Sequence, residues 1–161
     1  MKTNTNAISK MLTLLLAAVA LAFPAYSTWA NDQVPFKGSA EGATASVSPD
    51  PGGVVLSVLA EGYATNLGRF SREETILFNP ATGALTGLIV FTAANGDQLF
   101  GTVVGGFVSP ISATGIYTFT GGTGRFQNAS GVADFSLSTL DGAHFTVEFE
   151  GSLSSVGANK K

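Results

Sequence analysis

Beyond residue 30 the chain alternates apolar and polar positions in twos. From His144 to Leu153, Phe145, Val147, Phe149, Gly151 and Leu153 share one face, while His144, Thr146, Glu148, Glu150 and Ser152 share the other. That is the signature of a strand with one dry side and one wet side. No window carries a convincing 3.6-residue apolar period. The pattern predicts eight strands, at about 36–47, 53–66, 69–78, 84–94, 97–109, 113–120, 130–140 and 143–154.

The breaks between these segments have physical reasons. Ser48-Pro49-Asp50-Pro51-Gly52-Gly53 is expected to end a strand, because proline lacks a donor and glycine lacks stiffness. Asn79-Pro80-Ala81-Thr82-Gly83 reads as a turn with a glycine end. Asn95-Gly96 and Asp141-Gly142 predict two-residue hairpin turns, in which both residues take positive φ. Short links make successive strands antiparallel neighbours. Eight such strands can form a sandwich or an up-and-down barrel. The nearest-neighbour turns and the strand glycines Gly62, Gly87, Gly101, Gly105 and Gly106 favour the barrel. A barrel of this size has room inside for side chains or one small ligand.

The first thirty residues read differently. Lys2 and Lys10 precede the apolar run Met11 to Phe23, followed by Pro24 and by Thr28-Trp29-Ala30, a small-x-small cleavage site. The run is short for a bilayer span. The expectation is a signal peptide over 1–30 and one barrel domain over 31–161, secreted or periplasmic. An uncleaved anchor is the alternative. No cysteine follows the run, which excludes a lipoprotein anchor.

Removal of that segment takes away the only Trp (Trp29) and both Met residues (Met1 and Met11), and the chain has no Cys. Packing of Phe, Val, Leu and Ile must then hold the domain without disulfides, and thiolate chemistry is excluded. The remaining basic residues are Lys37, Arg69, Arg72, Arg125, Lys160 and Lys161, against eleven acidic ones. With no basic cluster beyond the terminal pair, nucleic acid is not expected as a partner.

Thr118-Phe119-Thr120-Gly121-Gly122-Thr123-Gly124-Arg125-Phe126-Gln127-Asn128-Ala129-Ser130-Gly131 resembles the GGTGRF-x-x-A-x-G stretch of dirigent proteins and allene oxide cyclase-like barrels. Gly62 to Phe70 and Thr92 to Leu99 resemble further blocks of exported bacterial relatives of that superfamily. The resemblance implies an eight-stranded, calycin-like barrel, in agreement with the strand count. It also implies a cavity in which polar residues guide reactive intermediates, and a tendency to self-associate. It carries no active-site residue to a position in this chain.

The candidate chemistry is sparse. Gly121, Gly122, Gly124, Arg125 and Phe126 lack the Lys-Ser/Thr ending of a phosphate loop. The expected role is a structural turn, with Phe126 plugging one barrel end and Arg125 held by a carboxylate or by carbonyls. His144, the only His, could be set beside Asp141 and a serine as a hydrolytic triad, but alternation places it on the polar face after a turn, where a bland exposed His is expected. One His and no Cys make a poor transition-metal site, and the carboxylates are not spaced as a calcium loop, so no metal or cofactor is expected. Asn128-Ala129-Ser130 is a glycosylation sequon.

Two pairs remain as ligand-binding candidates. In strand three Phe70, Arg72, Glu74, Ile76 and Phe78 share a face, so Arg72 and Glu74 could form a polar pair near one mouth; ion pairs at a solvated strand start are the alternative. Glu61 lies between Leu59 and Tyr63 on one face of strand two. If that face is internal, Glu61 and Tyr63 offer polar groups to a cavity. The leading expectation is a non-catalytic binding module for a small apolar ligand or a partner. The alternatives are a cyclase- or dirigent-type enzyme guiding cyclisation or coupling, and an outer-membrane barrel. The polar ending Ser154 to Lys161, with no terminal aromatic, argues against the last, and stable membrane insertion is not expected.

Overall fold

The computed structural model describes residues 33–154. The expected signal peptide lies outside the described residues. Eight antiparallel strands close into a barrel in chain order, with β8 pairing back onto β1. They are β1 (Gln33–Asp50), β2 (Gly53–Ala64), β3 (Gly68–Asn79), β4 (Ala84–Ala93), β5 (Gln98–Ser109), β6 (Ser112–Gly122), β7 (Gly131–Thr139) and β8 (His144–Ser154). One 3-10 turn, Gly124–Phe126, stands between β6 and β7. Every predicted strand is present, and closure leaves no long unpaired edge.

Alternation decides which side chains fill the interior. In β8, Val147, Phe149 and Leu153 are buried, while Thr146, Glu148 and Glu150 are exposed. The interior is unequal along its axis. At the end holding the β2–β3, β4–β5 and β6–β7 connections it is packed with rings. Phe91 is the hub, meeting Phe70, Phe149, Phe119, Phe36 and Tyr117 at centroid distances from 5.2 Å to 6.1 Å, mostly edge to face. Phe126 and Leu153, both fully buried, close that end. Room for such rings comes partly from strand glycines. A Cβ on Gly38 would lie 2.7 Å from the Phe149 ring, and one on Gly42 2.7 Å from the Phe145 ring.

Three local expectations change. β1 runs on through Pro49 to Asp50, where Pro49 pairs with Val54 of β2. The β1–β8 pairing stops at Ala43–His144, so the other edge of β1 is free there and the missing donor of Pro49 costs no ladder bond. At Asn95-Gly96 only Gly96 has positive φ, +87°. The loop is longer than two residues, and Asn95 acts through its side chain, Oδ1 accepting from the Asp97 amide at 3.2 Å. Asp141-Gly142 repeats the design. Gly142 alone takes positive φ, and Asp141 Oδ1 accepts from the amides of Ala143 and His144 at 2.9 and 2.7 Å.

The ring hub makes a direct stability prediction. Phe91→Ala removes a side chain with no exposed area and leaves a cavity, which lowers the unfolding free energy by about 3–5 kcal/mol in urea titrations.

Candidate functional site

The ring-packed half of the interior ends at a buried guanidinium. Arg72, 1% exposed, points inward from β3 at the level of Phe91 on β4 and Ala60 on β2. Its strand neighbours on the same face are Phe70 and Ile76, so period-two placement forces Arg72 and Glu74 inside with them. Arg72 Nε and Glu74 Oε1 are 3.2 Å apart, and the Glu74 side chain is 8% exposed. Arg72 Nη1 donates to Tyr117 Oη at 3.2 Å. The guanidinium carbon lies 5.9 Å from the Tyr117 ring centroid and 5.6 Å from that of Phe145.

This triad is incompletely satisfied. Arg72 Nε and Glu74 Oε1 make no hydrogen bond with each other despite their proximity, and neither atom has another partner among the described residues. A buried polar atom in that condition destabilises the fold. Burial pushes the Glu74 carboxyl above its ordinary value, opposed in part by the Arg72 charge. Burial likewise raises the Tyr117 phenol, again against the pull of Arg72.

Toward the end that holds the β1–β2, β3–β4, β5–β6 and β7–β8 turns, hereafter the hairpin end, Glu74 and Tyr117 line a cavity of about 80 Å³. Its other walls are mostly apolar, among them Leu56, Val58, Ile76, Leu85, Val103 and Leu137, with Thr44 and Thr139 adding two hydroxyls. A groove of about 730 Å³ at the hairpin end shares Thr44, Leu56, Phe107 and Gly142 with the cavity. The site is therefore an apolar recess with a carboxyl and a phenol at its base, and a cation behind them.

Glu61 and Tyr63 stand elsewhere. The inward residues of β2 are Val58, Ala60 and Ala64, and Tyr63 is 65% exposed. Small side chains face in because Gly62 packs against the β1 backbone at Ala40, where nothing larger fits. The expectation of an inward Glu61 and Tyr63 is corrected: both line a broad concavity of about 1090 Å³ on the outer wall, where Glu61 lies opposite Glu41. Tyr117 was missed by sequence reasoning. Its signal was its place between Ala113, Gly115 and Phe119 on the inner face of β6, a hydroxyl in an otherwise apolar row.

The glycine motif forms a tight turn tied to its neighbours. Arg125 Nη2 donates to the Leu67 carbonyl at 3.2 Å, and Arg125 Nε lies 3.8 Å from Asp97 Oδ2. Its guanidinium stacks 4.9 Å from the Phe126 ring centroid. Gly124 has φ +54°, and a Cβ there would collide with the Asp97 carboxylate. His144 Nδ1 and Asp141 Oδ2 are 2.7 Å apart in an exposed pair. Hydrogen bonds from the His144 ring and from the His144 and Ala143 amides hold the Asp141 carboxyl well below the usual carboxylate range. No group of three or more metal-ligating side chains occurs among the described residues.

No family model matches the chain. No curated protein matches it. Among solved structures, the pterocarpan synthase dirigent protein GePTS1 superimposes with a TM-score of 0.56 at 15% identity, covering 75% of this chain and 86% of that one. The pterocarpan synthase dirigent protein PsPTS1 gives 0.56 at 14% identity, covering 78% and 97%. The chain has the dirigent-protein fold. At these identities the likeness is one of architecture, and it bears out the dirigent-like barrel expected from the glycine motif. In this dirigent-like barrel Glu74 and Tyr117 line the interior recess, with Arg72 behind them.

The raised Glu74 value carries a pH signature. The native protein holds this proton more tightly than the unfolded chain does. The linked stabilisation is full below the ordinary value of 4.5 and is lost as pH rises through the native value. The difference in unfolding free energy between the parent and Glu74→Gln is therefore expected to fall as pH is raised from acid to neutral, measured by denaturant unfolding across that range. A flat or rising difference would show that burial does not govern this carboxyl.

Proposed function

We propose that this dirigent-like barrel is an exported, non-catalytic binding module that takes a small apolar molecule through the hairpin end of its interior. The observation that carries this reading is the apolar recess with its polar base. An apolar ligand that ends in a polar group would fill the recess and give Glu74 a hydrogen-bond partner. Export rests on the Lys2 to Ala30 pattern, with a secreted or periplasmic destination. The polarity of the wall runs against a bilayer-spanning barrel. Apart from the Arg72, Glu74 and Tyr117 group the interior is mostly apolar, while Glu61, Glu73, Glu148 and Glu150 face outward.

A second reading has one observation in its favour. Arg72 Nε and Glu74 Oε1 are buried without hydrogen bonds, and reactive sites keep strained polar groups of this kind. In that reading the barrel guides cyclisation or coupling of the bound molecule. Glu74→Gln would then change the products or their handedness, resolved by chiral chromatography, and leave affinity within a few-fold of the parent. In a simple binding module the variant changes affinity alone.

The binding reading is tested with an environment-sensitive apolar dye. Saturable binding with about one site per chain is expected, displaced by competing lipids. Leu137→Trp, which fills the recess, should weaken dye binding about tenfold or more while circular dichroism stays that of the parent. Non-saturable binding by the parent would remove the ligand reading.

A further inference from the structure

The two ends of the barrel differ in what they show to the outside. At the hairpin end, Val47 is 61% exposed, Val108 69%, Ile111 50% and Leu140 93%. These four come from three hairpins: β1–β2, β5–β6 and β7–β8. At the other end the connections present polar residues, among them Asn66, Asn95, Asp97 and Arg125. Single exposed apolar residues are ordinary, but apolar residues gathered around an opening mark an interaction site.

The rim is braced. The Thr44 amide donates to the Ala143 carbonyl, and the Thr139 amide to the Ile111 carbonyl, both at 2.9 Å. These bonds tie β1 to the β7–β8 tip, and the β7–β8 tip to the β5–β6 tip. Val47 and Val108 also line the groove that shares residues with the interior recess. The Val47 and Val108 part of the rim therefore adjoins the mouth of the recess.

Charge selects the occupant. The rim tips carry Asp50 and Asp141 and no cation. Lys37, Arg69 and Arg125 all lie toward the opposite end. An anionic surface has nothing to bind here, while a zwitterionic one meets side chains suited to the headgroup and acyl boundary. We propose that the hairpin end docks on a zwitterionic lipid surface, with the apolar tips inserted and the mouth turned to the bilayer. Docking stands on the rim alone; that the docked mouth draws its ligand from the bilayer rests on the function proposed above.

The test uses the barrel from Asn31, whose strand ladder is complete without the preceding residues because β8 closes onto β1. Flotation with phosphatidylcholine vesicles is expected. High salt should not weaken it, and added phosphatidylserine should not strengthen it. Leu140→Asp and Val108→Asp should each lower partitioning about tenfold. Val104→Asp, at an exposed outer-wall position away from the rim, should leave it unchanged. Leu137→Trp should still float, which separates docking from filling of the recess. Three results would overturn the proposal: no flotation, equal loss with Val104→Asp, or a dimer dissociated by the tip substitutions without vesicle binding, which would assign the rim to a second copy.

Discussion

An arginine inside a barrel of eight strands organises what surrounds it. On one side of Arg72 the interior is filled by rings meeting at Phe91; on the other it opens into the recess. A guanidinium in such surroundings must be paired and hydrogen-bonded to be tolerated. Glu74 supplies charge, Tyr117 supplies an acceptor, and the faces of Tyr117 and Phe145 supply π density. The compensation is incomplete, since Arg72 Nε and Glu74 Oε1 make no hydrogen bond. Replacing a buried ion pair by a well-packed apolar layer is often neutral or stabilising, so the pair is poorly explained by stability alone.

The rest of the architecture supports that arrangement. Closure in chain order removes sheet edges and fixes the register that sets Arg72 level with Phe91 and Ala60. Gly38 and Gly42 make room for the Phe149 and Phe145 rings that reach across the interior. Phe126 seals the ring-packed end, and its 3-10 turn is pinned by Arg125 to Leu67 and Asp97. With that end sealed, the entry that the proposed function requires falls to the hairpin end, where the tips are apolar.

Much of this was legible in the sequence. Period-two alternation placed the strands and put Arg72 and Glu74 on the face of Phe70 and Ile76. The glycine motif indicated the turn, its plug and its tethered arginine. The inner face of β2 was not legible. Leu59, Glu61 and Tyr63 carry the larger side chains, so their face could be the internal one, and only the neighbouring backbone of β1 decides that Ala60, Gly62 and Ala64 go inward. The Tyr117 contact joins residues 45 positions apart through barrel closure, which no local pattern encodes. The turns at Asn95 and Asp141 followed side-chain hydrogen bonds to the backbone rather than the two-residue geometry their dipeptides suggest.

The interior ion pair is expected to be held at a cost in stability. A double-mutant cycle on Arg72 and Glu74 tests it most directly, by urea unfolding at neutral pH. Arg72→Met alone should destabilise the barrel by about 3–5 kcal/mol, because it leaves Glu74 buried without a counter-charge. Arg72→Met with Glu74→Leu should recover the parental stability or exceed it. A double variant that loses as much as the two single losses combined would contradict the account.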